Sequence, residues 1–359
     1  MNAIRKPHDS LTLPQVVDLI AAIGDKVTVL VQGHIGSGKS SIHKILAERF
    51  PDHYPVYFDC VTKADSGDIS VPKFRSIDGA EVVSFIPNEE LGLHQDKPIL
   101  LMIDELGKNK AIINALTRLM LERQLGMHKL PEGSIVFATT NLGLENVGDQ
   151  LLPHVRNRIC VVKMDKPQAM PWVEDFAIPN GLHPVVIGTA VEYPQIFESF
   201  EDVEDPNSNP DIYHPKQARA AFVTHRSMHK ASDIMHATES FADVVRIHAL
   251  TGVVGESAAM KIMTISRLND DMPAYERVLA DPENCPLPKS GVSACMMVAK
   301  IAMRVERETF DNCMLYVERM SKEVQALFAR TIMRSPKKNL AASHKSFVKW
   351  ASDNMYLFN

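Results

Sequence analysis

Gly33-His34-Ile35-Gly36-Ser37-Gly38-Lys39-Ser40 follows the spacing G-x-x-x-x-G-K-[ST]. In that pattern the glycines let backbone N–H groups turn inward around phosphate oxygens, and the helix that follows aims its positive end at them. Lys39 neutralises β/γ charge and Ser40 ligates Mg²⁺. The expected ligand is therefore ATP with Mg²⁺, held by Gly33, His34, Ile35, Gly36, Ser37, Gly38, Lys39, Ser40 and Ser41. A loop of this kind works only between a strand and a helix. Here it lies between Val27–Gln32, a β-branched run, and Lys39–Phe50, which carries helical periodicity.

Ile99-Leu100-Leu101-Met102-Ile103-Asp104-Glu105 is an apolar run ending in two carboxylates. At the carboxyl edge of a parallel sheet Asp104 would face the magnesium, and Glu105 would orient or deprotonate water. Without the phosphate loop the same residues read as a buried strand closing in a solvated acidic turn. An aspartate followed directly by glutamate suits attack by water better than transfer to an acceptor alcohol, so hydrolysis to ADP and phosphate is the expected reaction. Ser134-Ile135-Val136-Phe137-Ala138-Thr139-Thr140-Asn141 is another apolar run with a polar end. Asn141 would emerge beside Asp104 if the two strands are neighbours, and an amide there holds the attacking water and the γ-phosphate. Taken alone it is a turn-forming asparagine. The stretch from Leu151 to Ile159 then sets Arg156 and Arg158 just before a last apolar run, where arginines otherwise stand solvated.

These residues need a scaffold. Val27–Gln32, Tyr54–Cys60, Ile99–Asp104, Ser134–Thr139 and Ile159–Met164 read as strands buried on both faces, alternating with helices over Lys39–Phe50 and Asn109–Gly126. That order predicts an α/β fold, a three-layer core with a parallel sheet. Residues 64–97 do not fit a plain crossover: Asp78-Gly79 sits between two extended pieces, Ile69–Phe74 and Glu81–Ile86, and predicts an inserted hairpin. After Lys166 prolines punctuate short helical pieces, and Glu198 to Asp211 is an acidic loop. Helical periodicity then returns over Glu239–Leu250, Ala258–Ile265, Val292–Val305 and Asn312–Met333. The expected domains are an α/β core over 1–166, an all-α lid over 167–270 and a C-terminal helical extension over 271–359.

Composition excludes several classes. The chain has 359 residues, 45% hydrophobic and 23% charged, which fits a folded protein and not a disordered one. Its net charge of −5 lacks the basic footprint of a protein that coats nucleic acid. Five scattered cysteines without C-x-x-C argue against a disulfide framework or zinc ribbon, and suggest buried, reduced thiols. No apolar run is long enough to span a bilayer and residues 1–15 lack a signal-peptide core, so a cytoplasmic protein without a membrane partner is expected. His225, His229, Asp233 and His236 share a helical stripe that a metal could use only in part, because it extends over ~16 Å. The basic run Arg330, Arg334, Lys337, Lys338, Lys345 and Lys349 reads as a solvated helix face, with nucleic acid or an acidic partner as the alternative. The Met-rich segments around Met260, Met263, Met296, Met297 and Met303 read as core.

Taken in order, the phosphate loop, the Asp-Glu strand, the Ala-Thr-Thr-Asn strand and the arginines before the last strand resemble the AAA+ ATPases. Pro171-Trp172, Gly181-Leu182-His183-Pro184, Val223-Thr224-His225-Arg226-Ser227-Met228 and Leu250-Thr251-Gly252-Val253-Val254-Gly255-Glu256 resemble the MoxR branch, as does the hairpin insertion. The resemblance covers most of the chain and loosens after about Asp271. It implies a homo-oligomeric ring, hexameric in subunit number, that couples ATP hydrolysis to remodelling of a protein partner of von Willebrand A type. It also implies that Arg158, or alternatively Arg156, reaches a neighbouring subunit's nucleotide, and that Arg226 contacts the γ-phosphate. Ile159 stands where the family has Phe, and His225 where it often has Pro. A DNA-directed motor or loader is one alternative, against which the hairpin offers only Lys73 and Arg75. An ATP-gated scaffold with negligible turnover is another.

Overall fold

The computed structural model describes residues 10–107, 109–143, 153–270 and 272–358. The chain divides into two compact units, Met1–Lys166 and Pro167–Asn359. Among the described residues no helix is long and apolar enough to cross a membrane.

The first unit is built on a five-stranded sheet of β1 (Val29–Gly33), β2 (Tyr54–Asp59), β5 (Ile99–Asp104), β8 (Ile135–Asn141) and β9 (Cys160–Lys163). The spatial order is β2-β5-β8-β1-β9 and every pairing is parallel. Alternation along the apolar strands sends successive side chains to opposite faces. Leu101 and Ile103 join α3 (Lys110–Glu122) on one side, whereas Leu100 and Met102 pack with α1 (Leu13–Ile23) and α2 (Ser41–Arg49) on the other. The result is the expected three-layer α/β core. The short helix α4 (Pro153–Arg156) leads into β9, and of the stretch read before that strand, Leu151 and Leu152 lie outside the described residues.

The inserted hairpin is present as β3 (Ser70–Ile77) and β4 (Ala80–Pro87), an antiparallel pair. Asp78 and Gly79 both take positive φ, 52° and 81°, which a two-residue hairpin turn requires. Helix α3 ends four residues earlier than its periodicity predicts. Arg123 turns left-handed, with φ of 56°, and its guanidinium donates to Thr28 Oγ1 and Gly24 O. The chain then enters a small hairpin of β6 (Gln124–Leu125) and β7 (His128–Lys129).

The second unit is helical. It comprises α5 (Ala169–Trp172), α6 (Pro184–Glu192), α7 (His225–Ala237), α8 (Asp243–Val254), α9 (Glu256–Asp270), α10 (Tyr275–Ala280), α11 (Gly291–Arg304), α12 (Phe310–Glu318), α13 (Lys322–Arg334), α14 (Lys338–Ser343) and α15 (Lys345–Asp353). A single cluster of buried apolar side chains runs from Ala169 to Trp350. Gly188 lets α6 approach α11 closely, since a Cβ there would lie 2.6 Å from Met296 Sδ. The periodicity of Asn312–Met333 predicts one helix, but the chain breaks between α12 and α13. Buried Gln325 caps the break, donating through Nε2 to Glu318 O and Met320 O while its Oε1 accepts from Trp350 Nε1, each at 2.9 Å. A buried side-chain amide thus satisfies carbonyls that helix continuation would otherwise have taken up.

The remaining expectations divide. Met263, Met296 and Met297 are buried, whereas Met260 is exposed. Cys60, Cys285, Cys295 and Cys313 are buried, but Cys160 on β9 is only half-buried; none is paired among the described residues. Arg334, Lys338, Lys345 and Lys349 are exposed and Arg330 and Lys337 partly so, and within this unit Arg330 and Arg334 also pair with Glu174 and Arg334 with Asp175.

Candidate active site

The phosphate-loop sequence leaves the carboxyl end of β1 and enters α2 at Ser41. Gly36 and Gly38 have φ of 66° and 93°, values that side chains with a Cβ rarely tolerate. Gly33 is also tight, since a Cβ there would lie 3.3 Å from Lys39 Cδ and 3.4 Å from Ser37 Oγ. Lys39 is buried, and its ammonium donates to Gly33 O at 2.9 Å, His34 O at 2.8 Å and Asn141 Oδ1 at 2.8 Å. Ser37 Oγ is closed off from solvent and has no hydrogen-bond partner among the described residues. Ser40 is the N-cap of α2, yet its hydroxyl makes no capping bond.

Parallel register brings the acid pair to the same edge. Gly33 on β1 lies opposite Asn141 on β8, and Ile103 on β5 opposite Ala138 on β8. Because β5 and β8 are neighbours, Asn141 emerges next to the acids. Its Nδ2 donates to Glu105 Oε2 at 3.1 Å and Oε1 at 3.3 Å, while its Oδ1 accepts from Lys39. Glu105 has φ of 55°, a strained conformation for a residue with a side chain, just past the end of β5. Lys39, Asn141 and Glu105 thus form one hydrogen-bonded chain across three elements.

Asp104 is buried and held from two strands. Its Oδ2 accepts from the Tyr57 hydroxyl of β2 at 2.6 Å, and its Oδ1 accepts from Thr139 Oγ1 of β8 and from the Glu105 backbone N–H at 3.0 Å. Neither Tyr57 nor Thr139 figures among the candidates read from the sequence. Thr139 leaves a signal there, since a hydroxyl in an otherwise apolar strand needs a buried partner. Tyr57 leaves none, because its contact depends on β2 lying beside β5. Burial, followed by Asp59, Asp104 and Glu105, pushes the Cys60 thiol up to about 12, so it stays protonated and inert.

Arg156 and Arg158 are exposed on either side of Asn157, between the buried anchors Val155 and Ile159. Arg226 is exposed in the first turn of α7, in the second unit, where Thr224 and Ser227 form a capping box. Within the histidine stripe on α7, His225 and His229 serve packing. His225 is buried, stacks on Phe197 at 4.4 Å and bonds Pro167 O at 2.9 Å; His229 meets the Phe176 ring.

No protein-family model matches the chain, and no curated protein matches it. Among solved structures, it is similar to a mutant of Thermotoga maritima RuvB at 14% identity and a TM-score of 0.38, covering 84% of this chain and 90% of that one. It is also similar to the Thermotoga maritima RuvB Holliday junction branch migration motor, at 17% identity and a TM-score of 0.35, covering 84% of this chain and 86% of that one. By its own strand order, the first unit is a three-layer α/β core with a parallel sheet, a glycine-rich loop after β1 and an acid pair at the end of β5, and a helical unit follows it in the chain.

Proposed function

We propose that this chain is a magnesium-dependent ATPase whose active site lies at the carboxyl edge of β1, β5 and β8. The observation that carries this reading is the convergence of Lys39, Asp104, Glu105 and Asn141 from three strand ends. The loop suits a phosphate chain: Ser37 Oγ is a buried hydroxyl in need of a partner, and Lys39 brings an ammonium into a water-poor site. Ser40 and Asp104 are the residues that would hold magnesium, with an uncapped hydroxyl and a hydrogen-bonded carboxylate. Bound magnesium would supply charge neutralisation on the β- and γ-oxygens. Glu105 orients water and accepts its proton, and Asn141 Nδ2 fixes the carboxylate that does so. Lys39→Ala tests the reading. It should abolish ATP binding by calorimetry and magnesium-dependent phosphate release, and retained affinity would refute it.

The finer reading is a MoxR-like ring that remodels a protein partner, including one of von Willebrand A type. Its support is the sequence resemblance, together with the exposure of Arg158 and Arg226, which leaves them accessible to a neighbouring subunit or a nucleotide. Mixing separates these roles. A Lys39→Ala chain still offers Arg158, and an Arg158→Ala chain still binds ATP, so mixed assemblies should regain phosphate release that neither variant has alone. Absence of rescue in proven co-assemblies would exclude Arg158 as a trans-acting residue, and the same experiment then addresses Arg156.

A further inference from the structure

The helical unit contains a cleft of about 400 Å³ whose walls come from α6, α7, α8, α9 and α11. Three cations reach it: Arg246 from α8, and Lys300 and Arg304 one turn apart on α11. His183, the N-cap of α6, is buried in its wall, and Met235, Met303 and Pro184 add apolar surface.

His183, His236 and Glu239 lie close enough that their ligand atoms fall within 4.8 Å of one another, which invites a metal. Hydrogen bonding argues against one. His183 Nδ1 accepts from the Val185 backbone N–H at 3.2 Å, so in the neutral ring the proton sits on Nε2, the nitrogen that faces Glu239. A metal-bound histidine instead donates from its remote nitrogen. Burial, then His236, Lys300 and Arg246, lowers His183 to about 4, which keeps the ring neutral and Nε2 a donor near neutral pH.

The cleft therefore presents donors and cations. Its carboxylates stand at the rim and are more exposed than the groups they meet: Glu239 is 71% exposed against 9% for His183, and Asp243 57% against 17% for Arg246. Arg304 similarly meets Glu276, which is 68% exposed. Exposed pairs of this kind are weak, and an anion that contacts several donors at once displaces them. The volume lies in the range of small-molecule sites, and the methionines accommodate an apolar body. We propose that this cleft binds a small molecule carrying a phosphomonoester, with its phosphate against His183 Nε2, Arg246 and Lys300 and its organic part against Met235 and Met303.

Calorimetry on the full chain carrying Lys39→Ala, which silences the phosphate loop, tests this with phenyl phosphate and inorganic phosphate. One equivalent of phenyl phosphate should bind, more tightly than inorganic phosphate. Adding Lys300→Gln should weaken it by about tenfold or more, and adding Glu239→Gln should tighten it, because a competing carboxylate is removed. Misfolding cannot produce both signs. Absence of phenyl phosphate binding, or binding that neither substitution moves, would overturn the proposal. So would stoichiometric zinc chloride binding that His236→Ala abolishes, since that outcome assigns the cluster to a metal.

Discussion

The two units put buried polar side chains to different uses. In the α/β unit, Lys39, Asp104 and Asn141 are buried at strand ends and hydrogen-bond to one another's neighbourhoods, with Glu105 half-buried beside them. In the helical unit, His225 and Gln325 are buried just as deeply but spend their hydrogen bonds on backbone carbonyls and on packing. The sheet edge gathers side chains that can act on something outside, whereas His225 and Gln325 serve the bundle's own packing and chain breaks. Burial of a polar group is thus no guide to chemistry until its partners are known.

Substitutions sharpen the contrast. The largest effect is expected for Glu105→Gln, which keeps shape but removes the base: steady-state phosphate release should fall about 10²- to 10⁴-fold with ATP binding retained. Equal rates would move Glu105 from the chemistry to the structural class.

For His183 the expected effect is on stability. Its folded value of about 4 lies below the unfolded value near 6.5, so the unfolded chain binds more protons between them. Stability is full above pH 6.5 and declines by about 3 kcal/mol as pH falls through 4. Urea midpoints at several pH values should show this slope, and His183→Asn, which can still cap α6, should flatten it.

Gln325→Ala orphans the carbonyls of Glu318 and Met320 and the Trp350 indole N–H. It should cost about 2 kcal/mol in the urea unfolding of the helical unit without changing phosphate release per folded chain. The smallest effect belongs to Tyr57→Phe. Losing one hydroxyl from Asp104 should raise the magnesium requirement about threefold to tenfold, with kcat at saturating magnesium less affected. An unchanged magnesium titration would make Tyr57 a packing residue that happens to touch the site.

The phosphate loop was legible because its chemistry is contiguous: Gly33 to Ser40 must turn, donate and cap within eight residues, and only a few residue types do so. Asp104 and Glu105 were legible for a similar reason, at the end of a run too apolar to be anything but a buried strand. The three-layer order followed from alternating strand and helix patterns, and the hairpin from Asp78-Gly79. The break at 319–321 was not legible, since apolar periodicity continues through it and only Gln325, meeting Trp350 from α15, makes the break affordable.

What the sequence by itself determined is local: the loop, the acids that end β5, the amide that ends β8, and which segments are strands or helices. Backbone periodicity and turn stereochemistry act over a few residues and need no distant partner. The tertiary structure alone decided which of these groups meet. Strand order set Tyr57 and Thr139 on Asp104 and Asn141 between Lys39 and Glu105, from residues 35 to 102 positions apart. Helix packing likewise set His183 against His236 and Glu239, because hydrogen bonds and charge act through space and the chain's order does not record them.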